Sequence, residues 1–168
     1  KWTALCLLLN INLGLAAVHV SETGTGQAAV ISYYTVNNDL NTLVSVRNND
    51  DIGKAIKVTV RESRVTEAVR SINVYLDAHD HWSMALLKGE DDLKLVTNDD
   101  SCALSFPVND DGEPAPEPPL DYWQWETGTI QVIEMGSIDV TEPGSVFAGE
   151  PLSSQCSEIT EAWSANGF

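Results

Sequence analysis

Hydrophobic and polar positions alternate with a period of two through much of the chain between Gln27 and Leu87. Ile56, Val58 and Val60 alternate with Lys57, Thr59 and Arg61, and Ile72, Val74 and Leu76 alternate with Ser71, Asn73 and Tyr75. Successive side chains of an extended chain point to opposite faces, so this spacing predicts strands with one buried and one wet face. Ala28 to Val36 and Thr42 to Arg47 are rich in β-branched and aromatic residues, which suit a pleated surface. His81 to Leu87 and the short Leu93 to Val96 extend the series. Asn37-Asn38-Asp39, and Asn48-Asn49-Asp50-Asp51 with Gly53, supply turn chemistry between strands. Val65 to Arg70 reads as no more than a turn or short loop, and no helical period competes in this stretch. The pattern predicts an immunoglobulin-like antiparallel β-sandwich over 27–100. The six aliphatic residues of the two clearest strands are expected in its core. Lys57, Thr59, Arg61 and Asn73 are expected to be more exposed.

Beyond residue 100 the pattern changes. Pro107, Pro114, Pro116, Pro118 and Pro119 are five of the seven prolines and lie among Asp and Glu, which predicts an extended polar loop. Thr129 to Met135 reads as a strand, with Ile130, Val132 and Glu134 alternating against Gln131, Ile133 and Met135. Ser153 or Ser154 is placed to cap a short helix over roughly 154–164, stopped near Gly167. Residues 101–168 thus read as an irregular acidic extension that returns one strand and one short helix.

At the other end, Lys1 precedes a nearly continuous apolar run from Ala4 to Ala17, with small residues at Gly14, Ala16 and Ala17. This is the make-up of a signal peptide over 1–17, cleaved after Ala16 or Ala17; a buried first strand or helix is the alternative. Cys6 lies inside the run without a small residue before it, which argues against a lipid anchor. The chain does not begin with Met and ends on Asn166-Gly167-Phe168. It is expected to be a piece lacking its start and a C-terminal continuation. The mature protein is expected to be exported, to the periplasm, the cell surface or the medium. Setting Cys6 aside leaves Cys102 and Cys156, which in an exported chain read as one disulfide, with two free buried thiols as the alternative.

The charge balance narrows the partners. The 168 residues hold 25 acidic and 9 basic side chains, a formal net charge of −16. All nine basic residues fall within 1–94, and 95–168 holds 14 acids with no Lys or Arg. Nucleic acid and anionic membrane surfaces are therefore not expected partners, because both are recognised by clustered cations. No apolar run reaches the roughly 20 residues of a spanning helix. A glycan or a surface protein remains the expected class of partner.

Candidate chemistry is sparse. His79 and His81, if both lie on a strand, share a face and offer two nitrogen ligands, but no third ligand is signalled. The plainer reading is a polar strand entry in which Asp80 closes a turn and Trp82 packs inward. Among the Asn- and Asp-rich runs, Asn98-Asp99-Asp100 is the best calcium candidate, since Cys102 would fix its position. It lacks the ligand spacing of a known calcium loop, and turn formation explains the same residues. Trp123 and Trp125, beside Tyr122, offer rings that would stack on a sugar, with Asp121 or Glu126 bonding hydroxyls. Alternatively they anchor the loop to the core from one face of a strand. No nucleophile-elbow motif is present, and nothing selects a hydrolytic pair among the carboxylates. No cofactor other than calcium is suggested.

Several segments together resemble a family of exported bacterial proteins of uncharacterised function, described as cell-surface proteins. They include Tyr33-Tyr34-Thr35-Val36-Asn37, Thr42 through Asn48, Lys54 through Glu62, and Asn73-Val74-Tyr75-Leu76. Asp80-His81-Trp82, Thr97 through Cys102, Val132 through Gly136, and Gly149-Glu150-Pro151 through Cys156 to Trp163 follow in order. The likeness spans roughly 27–168 and carries no catalytic motif. It implies an exported, non-catalytic module with a structural or adhesive role. A carbohydrate-binding domain is the alternative, and a hydrolase fragment comes third.

Overall fold

In a computed structural model of the chain, the described residues are 25–90, 92–106, 125–142 and 147–165, without the side chains at 105, 106, 164 and 165. The protein is mainly β: two antiparallel sheets and one short C-terminal helix. The strands are β1 (Ala28–Thr35), β2 (Thr42–Arg47), β3 (Gly53–Glu62), β4 (Ala68–Leu76), β5 (His81–Lys88), β6 (Leu93–Val96), β7 (Cys102–Phe106) and β8 (Thr127–Ile138). A 3₁₀ turn, Leu152–Gln155, runs directly into α1 (Cys156–Ala165). The five-stranded sheet has the order β1-β8-β3-β4-β7 and the three-stranded sheet the order β2-β5-β6. The signal segment assigned to 1–17 lies outside the described residues.

Period-two alternation sets the inner faces. Ile56, Val58, Val60, Ile72, Val74 and Leu76 are all buried, as expected. They share one apolar cluster with Val44, Trp82, Met84, Leu86 and Leu93 of the three-stranded sheet, so the two sheets enclose a common core. Burying each large aliphatic side chain is worth about 1.5–3 kcal/mol, which makes this cluster the main stabilising element.

The other face of the larger sheet departs from expectation. Lys57 is exposed and Arg61 half-exposed, but Thr59 (7% exposed) and Asn73 (4%) are buried. This face is not wet along its whole length. Ala55, Tyr75 and Cys102 form a second apolar cluster on it with Leu152 and Ile159, flanked by Leu104 and Trp163. The Trp163 indole N–H donates to the Tyr75 hydroxyl. Asn73 pairs with Leu104 across β4 and β7, and so lies beside this second layer.

Two strands come from the part of the chain read as an irregular extension. β7 pairs with β4, and β8 lies between β1 and β3 as a central strand. β4 begins at Ala68, inside the segment read as a loop, and its register against β3 shifts between Ala68 and Arg70, opposite Arg61 and Val60. The helix starts from Pro151 without a serine cap: the Ser154 hydroxyl donates to the Pro151 carbonyl, while Ser153 donates to Asp77.

Candidate functional site

β1 and β2 are consecutive strands that enter different sheets. The turn between them is closed by the Leu40 amide donating to the Asn37 carbonyl, with Asn38 and Asp39 at φ 55° and 59°. Asn and Asp tolerate this left-handed conformation better than most residues, so this sequence fits this turn. The Thr42 hydroxyl accepts the Thr35 amide at 3.1 Å and donates to the Thr35 carbonyl at 2.9 Å, pinning the two strand ends together. Away from this staple a cleft of about 540 Å³ opens between Gln27 of the β1 side and Arg47 of the β2 side.

The cleft floor is apolar and its rim polar. Ile31, Val46, Ile56, Leu76 and Val132 supply the floor. At the rim the Lys54 ammonium reaches Asp50 at 2.7 Å, Glu134 at 2.9 Å and the Ser137 hydroxyl at 2.8 Å. Hydrogen bonds to Asp50 and Glu134 hold the Lys54 ammonium charged to higher pH than usual. Asn48 is buried beside it. Its amide group donates to the carbonyls of Ile52 and Asp77, each at 2.8 Å, and its oxygen accepts the Asp50 amide. The Asn48–Asp50 run is thus a turn, held by the bonds of Asn48, that shapes one wall. No local pattern marks the cleft in the sequence, because it is made where two strands part.

The residues singled out from sequence are dispersed. His79 lies in the turn before β5 at φ 58°, and its ring bonds Asp51 at 2.8 Å. His81 opens β5, so the two imidazoles do not stand two apart on one strand. Asp80 accepts the His81 amide and Trp82 is fully buried, the arrangement of a polar strand entry. Asp99 accepts the Ser101 hydroxyl at 2.6 Å and the Ser101 amide at 3.1 Å, and that hydroxyl also reaches Asp80 at 3.1 Å. Burial pushes the Asp99 carboxyl up, but the Ser101 bonds, the Ser83 amide and nearby His81 outweigh it and hold it low. No group of three His, Cys, Asp or Glu side chains suited to a metal occurs among the described residues.

Trp123 lies outside the described residues. Trp125 sits in the bend before β8, not on a strand, and is 1% exposed within the main core. The Tyr34 hydroxyl donates to its carbonyl at 2.7 Å. Cys102 and Cys156 lie at bonding distance, with sulfurs 2.07 Å and Cα atoms 5.2 Å apart. The pair ties α1 to β7, the far edge strand of the larger sheet.

One carboxylate escaped the sequence reading. Glu62 is 1% exposed and accepts the amides of Arg64 at 2.6 Å, Val65 at 2.5 Å and Glu67 at 3.2 Å. Burial pushes it up, and these amides with that of Thr66 more than offset burial and keep it ionised. It organises the β3–β4 loop. Searches of protein-family models, curated proteins and solved structures find no match to this chain.

Proposed function

We propose that this chain is an exported, non-catalytic surface or secreted module with a structural or adhesive role. On this reading it is related to the uncharacterised exported bacterial proteins that its segments resemble. Its two sheets are read as an immunoglobulin-like sandwich carrying an added helical layer. The observation that carries the proposal is the Cys102–Cys156 pair, because such bonds persist chiefly in oxidising compartments. Burial of Trp125 supports a structural use of that aromatic and removes one of the two rings a sugar platform would need. Among the described residues, the carboxyls displaced in titration, Glu62, Asp99, Asp139 and Glu158, are displaced downward, opposite to a general acid.

Fractionating cells that make the protein, with surface labelling by a membrane-impermeant reagent, tests the reading. The expected result is protein outside the cytoplasm with a mass two hydrogens below its reduced form. Cytoplasmic protein with both thiols free would overturn it.

A further inference from the structure

We propose that the cleft between β1 and β2 is a binding site for an extended polypeptide segment with alternating apolar side chains and a carboxylate near the Arg47 end. The inference concerns the cleft alone and does not depend on where the protein resides. Three observations carry it. First, among the described residues β1 pairs with β8 alone and β2 with β5 alone, so two edge strands border the same opening. Unpaired edges present main-chain donors and acceptors at the spacing that an added strand satisfies. Second, the floor of Ile31, Val46, Ile56, Leu76 and Val132 comes from both sheets, and the volume of about 540 Å³ lies within the range of ligand sites. Every second side chain of a strand laid along either edge would point to this floor.

Third, the rim charge is selective. Lys54 is neutralised by Asp50 and Glu134, whereas Arg47 is exposed and forms no ion pair among the described residues. The cleft therefore holds one uncompensated cation in a chain of net charge −16. The overall field disfavours a polyanion, while the local guanidinium favours a single carboxylate, for which its fork is well matched.

The test uses the whole chain and acetylated, amidated heptapeptides in which valine alternates with threonine. One carries aspartate at both ends, one carries lysine at both ends, and one has a central proline. Binding is followed by backbone amide resonances. The aspartate peptide is expected to shift Ala29, Ile31, Ser45 and Arg47 saturably, and to bind about tenfold more tightly than the lysine peptide. The proline peptide should not bind, since it cannot continue a ladder. Arg47→Glu, at an exposed position, should reverse the preference between the charged peptides while near-ultraviolet circular dichroism stays unchanged. No saturable shift at these amides, equal binding of both charged peptides, or binding of decanoate there in preference to peptide would each overturn the proposal.

Discussion

The Asp77 carboxylate, just after β4, accepts the Leu152 amide at 2.7 Å and so caps the turn that opens the C-terminal helical segment. It also accepts the Ser153 amide at 3.3 Å and the Ser153 hydroxyl at 3.0 Å. A helical start leaves amides without partners, and here an acid distant in sequence supplies the acceptor. Leu152 is fully buried against the larger sheet, so the cap fixes a packed residue. Asp77→Ala is expected to cost about 1–2 kcal/mol in urea unfolding. Asp77→Asn, which keeps an acceptor oxygen, should cost less. Equal losses for the two variants would remove the capping role.

The bond between Cys102 and Cys156 acts on the same layer. It spans 54 residues, and closing such a loop stabilises by about 4 kcal/mol in the chain-entropy model. Reduction, or Cys102→Ser with Cys156→Ser, should lower stability by an amount of that order. Among the described residues the main core contains none of α1, so amides of β3 and β4 should remain the slowest to exchange after reduction. Loss of protection in β3 together with α1 would show that the two layers unfold as one unit.

Gly128 lies where a side chain would run into a neighbouring strand of the larger sheet. It pairs with Tyr34 on one side and Glu62 on the other. A Cβ there would lie 1.8 Å from the Arg61 carbonyl oxygen and 2.9 Å from the Tyr34 ring. Backbone must move to admit it, so Gly128→Ala is expected to cost about 3 kcal/mol. Gly136 is the control: it lies on the same strand, and a Cβ there meets nothing within 4 Å. Chemical denaturation of both variants should separate them clearly, and a near-neutral Gly128→Ala would refute the steric account.

These contacts mark where local pattern stops being informative. The inner faces of β3 and β4 were legible because Ile56, Val58, Val60, Ile72, Val74 and Leu76 obey a period set by the backbone itself. The outer face was not. Thr59 and Asn73 look like solvent positions and are both buried, Asn73 beside the helical layer that lies over part of this face. β7 was missed because Cys102 to Phe106 is short and follows an acidic run, and its pairing partner is β4. The Cys102–Cys156 pair was legible from the cysteine count once Cys6 was set aside with the apolar run that holds it. The cleft was not, since its floor combines residues from β1, β2, β3, β4 and β8. Trp125 illustrates the converse: a conspicuous residue whose conspicuousness reflects packing.

Acid should destabilise the protein through Glu62. Its carboxyl is held below the ordinary value of 4.5, so the folded state binds that proton more weakly than the unfolded chain. The associated stability is complete above pH 4.5 and is lost as pH falls through the folded value. Asp99, held below 3.8, adds to the loss in the same direction. At the alkaline end Tyr34 is pushed above 10.0, by burial first and by Glu62 second. Lys54 is raised above 10.5, so the contributions of both are complete below those values and fall beyond them. Urea midpoints between about pH 6 and 3 should decline less steeply for Glu62→Gln than for the native chain. Parallel declines would assign the acid sensitivity elsewhere.

Calcium is the remaining test of the acidic loops. Asn98, Asp99 and Asp100 offer oxygens, but Asp99 already uses one oxygen to accept both the Ser101 hydroxyl and amide. The Ser101 hydroxyl links it in turn to Asp80, so the run is organised as a turn bonded to the start of β5. A calcium ion takes six to eight oxygens, and coordination by Asp99 would compete with these bonds. A true site would stabilise by about 2.7 kcal/mol at a hundredfold excess over its dissociation constant, and would saturate. The expected response is instead weak, unsaturated and equal for calcium, magnesium and matched ionic strength, as screening of a −16 chain requires. Thermal melting in millimolar calcium, magnesium and sodium salts decides the matter. A saturable rise with calcium alone, abolished by Asp99→Asn and Asp100→Asn, would make this turn a metal site.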